Sequence, residues 1–186
     1  LKTRREKLIE AYYQNKLQGF ELLIDNVGDP HNVTAVARSS DGLGVGRINL
    51  YYTQNVFPSL DMEGKRPGCG AHKWLDFNRV SDICVFAEQK KQEGFVFIGT
   101  RPPDGSDNLL DFIFPEKSVI VLGAEHSGMS PEVESVCDRF IHIPMVGLAE
   151  SYNISVAAAI IMYEAFRQLG GHLDQSICRS LRGERD

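Results

Sequence analysis

Apolar positions along this chain fall into two rhythms, unbroken runs of about six residues and longer stretches with helical spacing. "FELLID", "RINLYY", "FVFIGT", "SVIVLGAE" and "RFIHIP" are runs of the first kind and read as strands. Between them, "VTAVARSSD" is helical and stops at Gly42 and Gly44, and "SDICVFAEQKKQEG" gives a second helix. "SPEVESVCD" reads as a short helix capped by Ser130 with Pro131 at its first position. Residues 4–17 predict a leading amphipathic helix ended by Gly19. Thr53 to Lys73, with Pro58, Pro67 and several glycines, and "RPPDGSDN" predict loops. Strands of continuous Ile, Val, Leu and Phe alternating with helices predict an α/β fold. Its sheet is mostly parallel and covered by helices on both faces.

The closing segment, "IPMVGLAESYNISVAAAIIMYEAFRQ", breaks the pattern. Val156 to Met162 is apolar at every position, so it is either central to the chain or packed against a second subunit. The helix opens on Ser151, Tyr152, Asn153 and Ser155, although a single capping residue satisfies an orphan backbone N–H.

The 186 residues, 42% hydrophobic and 24% charged, fit one globular domain with a sizeable core. A net charge of −5 argues against a protein that coats nucleic acid indiscriminately. The basic residues cluster in "LKTRREK" and "CRSLRGERD", which form either a basic rim or two solvated tails. No run has the length of a membrane-spanning helix, and the charged first residues do not read as a secretory signal. The four cysteines (Cys69, Cys84, Cys137, Cys178) are scattered without a C-x-x-C or a neighbouring His pair. Neither a metal site nor a disulfide framework is therefore expected, and free thiols suit a cytoplasmic location.

In open α/β sheets, ligands bind beyond the carboxyl ends of strands, and three such ends carry unusual residues. In "DPHNVTAVARSSDGLGV", Asn32 reads as a helix cap, and Arg38 falls on the side of Thr34 and Asp41, away from the core positions Val33, Val36 and Ala37. Arg38 is either an exposed partner of Asp41 or a ligand contact. In "VIVLGAEHSGMS", Gly123 allows close backbone approach, and Glu125 can accept hydrogen bonds from an amine or a ribose; a plain glycine turn is the alternative. The third is the stretch that opens the closing helix. No G-x-G-x-x-G and no Walker loop accompanies them, which excludes the usual dinucleotide and phosphate fingerprints.

Taken in order, "N-x-x-x-x-x-R", "L-G-A-E-x-x-G" and "I-P-M-x-G-x-x-x-S-x-N-x-S-x-A-x-A" resemble the SpoU/TrmH branch of the SPOUT RNA 2′-O-methyltransferases over nearly the whole chain. "PHNVTAVARSSDGLGV", "GAHKW" and "AAAIIMYEAFRQ" resemble the members that methylate a guanosine ribose in the tRNA D-loop, as does the Arg-rich leading helix. The resemblance implies a C-terminal trefoil knot (the SPOUT α/β-knot), a methyltransferase domain over residues 20–170, a basic helix over 1–19 and a tail over 171–186. It implies S-adenosylmethionine as cofactor, held by Thr100, Gly123, Glu125, Ile143, Met145, Leu148 and Tyr152. It also implies a homodimer with the closing helix in its interface. Arg38 would contact the ribose hydroxyl, with Asn32, Ser151 and Asn153 orienting it. Arg4, Arg5, Lys7, Lys73 and Arg167 would meet RNA, tRNA first. Two departures stand out: Tyr152 occupies a position where the family usually has Leu, and the tail after Arg167 carries fewer basic residues.

A ribose 2′-hydroxyl is a weak nucleophile, so alignment with a sulfonium methyl and removal of its proton carry the reaction. A guanidinium stays protonated, so Arg38 is a poor general base and a better phosphate or hydroxyl donor. A ribosomal-RNA 2′-O-methyltransferase shares every motif. A non-catalytic RNA-binding protein on this fold would be expected to lack Arg38 or Asn153, and a dehydrogenase would carry the missing glycine fingerprint.

Overall fold

A computed structural model describes residues 16–58, 75–125 and 127–170, with Thr3, Glu6, Glu10, Tyr13 and Gln14 ahead of them. β1 (Phe20–Asp25) is buried at every position, as a strand with helices on both sides must be. It is joined by β2 (Arg47–Tyr51), β3 (Asp76–Val80), β4 (Val96–Thr100), β5 (Asp107–Asn108), β6 (Ser118–Leu122) and β7 (Arg139–His142). The sheet order is β3-β2-β1-β6-β4-β7-β5, and every pairing is parallel.

Strand alternation sends side chains to two separate cores. Leu22, Ile24, Ile48, Leu50 and Ile120 pack with α1 (Pro30–Gly42) and α4 (Ile154–Leu169), through Val33, Val36, Ala158, Ile161 and Met162. Leu23, Phe97, Val119 and Val121 pack on the other face with α2 (Ile83–Gln92) and α3 (Pro131–Val136), through Ile83, Ala87 and Val133. Each such Leu, Ile or Phe stabilises the fold by about 1.5–3 kcal/mol.

The structure departs from the sequence reading at several points. Asp29, not Asn32, caps α1: its Oδ1 accepts from the His31 backbone N–H at 2.8 Å, and Pro30 opens the helix. Asn32 therefore sits in the first turn with its carboxamide free for other partners. The polar "DFNRV" forms the unexpected strand β3, held by Asn78 Nδ2 donating to Asn49 at 2.9 Å and by an Arg47–Asp76 ion pair at 2.6 Å. The short β5 lies inside the segment read as a loop. Ser130 stands at the start of α3 but makes no side-chain cap.

Nor is α4 central to the chain. Ile154, Ala158, Ile161, Met162 and Ala165 face the core, whereas Val156 is 45% and Tyr163 63% exposed. At the amino terminus, Thr3 Oγ1 accepts from the Glu6 N–H (3.3 Å) and Glu6 Oε2 from the Thr3 N–H (2.7 Å). This pair forms a reciprocal capping box, and Glu6, Glu10, Tyr13 and Gln14 are helical. Arg4, Arg5, Lys7, Lys73 with its "GAHKW", and the tail over 171–186 lie outside the described residues.

Candidate active site

The sheet order brings four strand ends together. β1 connects through α1 to β2 on one side and has β6 as its other neighbour, so a crevice opens at the carboxyl edge between β1 and β6. Beyond β6 lie β4 and β7, which places Thr100, Gly123 and Ile143 side by side at the ends of three adjacent strands.

Across that crevice the three sequence motifs meet. Asn153 caps α4, its Oδ1 accepting from the Ser155 N–H at 2.9 Å and from Ser155 Oγ at 2.6 Å. These donors fix the carboxamide, so Nδ2 points away from the helix and donates to Asn32 Oδ1 and to Glu125 Oε1, both at 3.1 Å. Asn32 Nδ2 donates to the same Glu125 oxygen at 2.5 Å. Among the described residues no lysine or arginine pairs with Glu125, which is exposed. The crowding of polar residues before α4 thus has a partial explanation: Asn153 both caps and bridges, and Ser155 orients it. Ser151 and Tyr152 are exposed and make no side-chain hydrogen bond among the described residues.

Arg38 lies further along α1, exposed, and no hydrogen bond or ion pair among the described residues engages its guanidinium. Arg167 differs. Its Nε and Nη2 bind Glu164 at 2.9 and 2.6 Å, and this fork, with Gln168, holds the Glu164 carboxyl down at about 2. A guanidinium so engaged has little left for phosphate.

The remaining positions form a rim. Thr100 Oγ1 is turned into the sheet, donating to the Val121 carbonyl at 3.0 Å. Gly123 precedes a tight hairpin closed by Ala124 and Gly128, where a Cβ would collide with the backbone of Gly128 and Met129. Ile143 and Met145 are half-buried, whereas Val146 (108%) and Leu148 (104%) have no protein cover, and Tyr152 is 39% exposed. Val146 was not singled out in the sequence, although it lies within the "IPMVG" motif. Arg101 stacks on Phe140 at 4.2 Å and donates to the Gly105 carbonyl at 2.7 Å, which curls the loop after β4 beside this rim.

The SpoU rRNA Methylase family matches residues 19–163. The tRNA (guanosine(18)-2′-O)-methyltransferase of Aquifex aeolicus is 32% identical over 165 residues, covering 89% of this chain and 77% of that protein. The chain belongs to the SpoU methylase family. Another relative is the 23S rRNA (guanosine-2′-O-)-methyltransferase RlmB of Acinetobacter baylyi, 31% identical over 88% of this chain and 65% of that one. Among solved structures, the A. aeolicus TrmH/SpoU tRNA modifying enzyme superposes with a TM-score of 0.79 at 28% identity, covering 97% of this chain and 95% of its own. The SpoU methyltransferase AviRb from Streptomyces viridochromogenes, in complex with AdoMet, gives a TM-score of 0.69 at 29% identity over 80% of this chain and 59% of its own. This SpoU methylase is an RNA 2′-O-ribose methyltransferase, and its methyl donor is S-adenosylmethionine.

Proposed function

We propose that this SpoU methylase acts on tRNA as a homodimer, methylating the 2′-hydroxyl of a guanosine with Arg38, Asn32, Ser151 and Asn153 at the reacting ribose. The observation that carries the site is the junction of Asn32, Glu125 and Asn153 at the crevice, in a helix pair that also presents an unengaged Arg38. A tRNA substrate is supported by the likeness to the A. aeolicus TrmH/SpoU tRNA modifying enzyme, which superposes with a TM-score of 0.79.

The residues present suit the cofactor. Ile143, Met145, Leu148 and Tyr152 offer apolar surface to a purine, and Glu125 offers carboxylate oxygens at the same edge, beside the strand ends that carry Thr100 and Gly123. When bound, S-adenosylmethionine supplies an electrophilic sulfonium methyl. Arg38 carries a permanent positive charge, so it donates hydrogen bonds to substrate phosphate and polarises the ribose hydroxyl. Asn32 and Asn153 are already immobilised, which removes an entropic cost from aligning the nucleophile. The hydroxyl proton would leave to a phosphate oxygen or water, with the methyl–sulfur bond breaking as the methyl–oxygen bond forms and the neutral thioether departing.

The outer side of α4 supports the dimer. Val156, Tyr163 and Arg167 recur at helical spacing on the exposed side of α4, with the half-buried Ile160 between them, and a second copy would cover them. The free thiols Cys84 and Cys137 support a cytoplasmic location. Among the described residues no helix is long and apolar enough to cross a membrane.

The test is to treat tRNA and ribosomal RNA separately with the protein and S-adenosylmethionine, and to map 2′-O-methyl positions in each. A single modified guanosine in tRNA is expected. Methylation of ribosomal RNA alone refutes the choice of substrate, and methylation of neither refutes the whole reading.

A further inference from the structure

Beneath the crevice, at the end of β1, two adjacent buried polar residues make more hydrogen bonds than a strand end requires. Asn26 has φ 52, the single positive value outside glycine among the described residues, a left-handed conformation that asparagine tolerates better than most residues. Its Oδ1 accepts three successive backbone N–H groups, from Thr53 (2.9 Å), Gln54 (2.9 Å) and Asn55 (3.4 Å). Its Nδ2 donates to Asp25 Oδ1 at 2.7 Å and to Thr53 Oγ1 at 3.3 Å, and its carbonyl accepts from the Asn55 side chain. Asp25 is wholly buried, and its other oxygen accepts from the Ser130 N–H at 2.6 Å. No cation pairs with it among the described residues, and burial pushes its carboxyl above the ordinary range. A buried carboxylate held only by neutral donors is costly, so its retention asks for a reason.

We propose that Asp25 and Asn26 are positioning residues for methyl transfer, anchoring both sides of the Asn32–Glu125 contact; this rests on the function proposed above. On one side, Asn26 straps the loop after β2 to the turn that launches α1. Tyr52 Oη completes the strap by donating to the Val27 carbonyl at 3.0 Å, and Asn32 follows in the first turn of that helix. On the other side, Asp25 holds Ser130, the residue that ends the segment begun at Gly123 and closed by the Ala124–Gly128 hairpin. Glu125 rides on that hairpin. Asn32 and Glu125 themselves meet at the surface, where water competes for the hydrogen bond and leaves only a small net gain. That is too little to hold two loops within the ~0.5 Å that an aligned reaction needs. The alignment comes from below, through one dipeptide that grips both loops.

Asn26→Gly is the discriminating variant, because glycine accepts φ 52 without strain while the carboxamide is lost. Asp25→Asn is the second: its amide oxygen still accepts from Ser130, but its nitrogen opposes the Asn26 nitrogen. The measurements are single-turnover methylation at saturating tRNA and S-adenosylmethionine, cofactor affinity by calorimetry, and amide hydrogen exchange of the folded protein. Asn26→Gly should lower the saturated rate at least about tenfold, with cofactor affinity within about threefold. Exchange should accelerate at residues 53–55 and 128–130 and stay unchanged at 119–122. A saturated rate within twofold of the wild type overturns the proposal. So does a rate loss matched by an equal loss of folded protein at 119–122. If the wild type methylates no RNA, the functional reading falls by itself. Exchange then judges the anchoring, and unchanged exchange at both segments overturns it.

Discussion

Two glutamates of this protein are each gripped by asparagine carboxamides, at opposite ends of the same sheet, and they live in opposite electrical surroundings. Glu21, near the amino end of β1, accepts from Asn49 Nδ2 at 3.0 Å and pairs with Lys90 at 2.7 Å, with Arg47 at 3.9 Å. Lys90 is itself buried, lies 4.4 Å over the Phe95 ring, and reaches Glu93 at 3.3 Å. Every charge in that cluster is compensated, and the asparagines continue into β3 through Asn78. Glu125, beyond the carboxyl end of β6, has two carboxamide donors, solvent exposure and no cation among the described residues. A buried, neutralised charge has no capacity left for a ligand and serves the fold. A charge that is immobilised and left uncompensated is available to a ligand. Asparagine partners alone do not mark a functional site; the missing counter-charge does.

The comparison is broken most violently from the structural side. Lys90→Met leaves Glu21 buried without its ammonium, a loss of about 3–5 kcal/mol and a fall in Tm on the order of 10 °C. Methyl transfer per folded molecule at 25 °C should stay within twofold of wild type, as thermal unfolding and a single-turnover assay together will show. Arg38→Ala should do the reverse. Its transfer rate should drop at least about a hundredfold, near 2.7 kcal/mol of barrier, with Tm and cofactor binding by calorimetry little changed. A variant that still methylates tRNA at close to the wild-type rate removes Arg38 from the chemistry. Introducing a carboxylate on the outer stripe of α4, Tyr163→Glu, should convert a dimeric mass to a monomeric one by light scattering at micromolar concentration.

The smallest effect concerns Glu164. Its folded carboxyl is held at about 2 by Arg167 and Gln168, below the ordinary 4.5. The stabilisation is therefore complete above about pH 4.5 and is lost as pH falls toward 2. Glu164→Gln should flatten that part of the acid-unfolding curve slightly, since the pair is exposed. Asp25 acts in the opposite sense: its raised carboxyl favours the folded state as pH falls through its folded value.

Much of this was readable from residues. "FELLID" coincides with β1, because a strand covered on both faces has no polar interruption before its end. The three motifs at strand ends were legible separately, and the sheet order supplies their meeting point. What escaped did so for physical reasons. "DFNRV" has neither alternation nor an apolar run, since β3 is a polar edge whose support comes from Asn49 in the next strand. Asn32 reads as the cap of α1, three residues past the true cap Asp29, although Pro30 at the first position is a local signal of the earlier start. Asn26 looks like an ordinary turn residue, because the N–H groups that its carboxamide oxygen accepts lie in Thr53 to Asn55, a strand away. Arg167 reads as a free cation until the fork to Glu164 is seen, though their i,i+3 spacing was present in the sequence.

The most direct test sets the two glutamates against each other. Glu125→Gln keeps an oxygen for Asn32 and Asn153 but removes the charge, and Glu21→Gln does the same opposite Lys90. Both are assayed for single-turnover 2′-O-methylation of tRNA and for Tm. The account predicts that Glu125→Gln loses at least about tenfold in rate with Tm nearly unchanged, whereas Glu21→Gln loses Tm and keeps its rate per folded molecule within twofold. A Glu125→Gln enzyme with wild-type rate, or a Glu21→Gln enzyme that folds fully yet fails to transfer methyl, would contradict it.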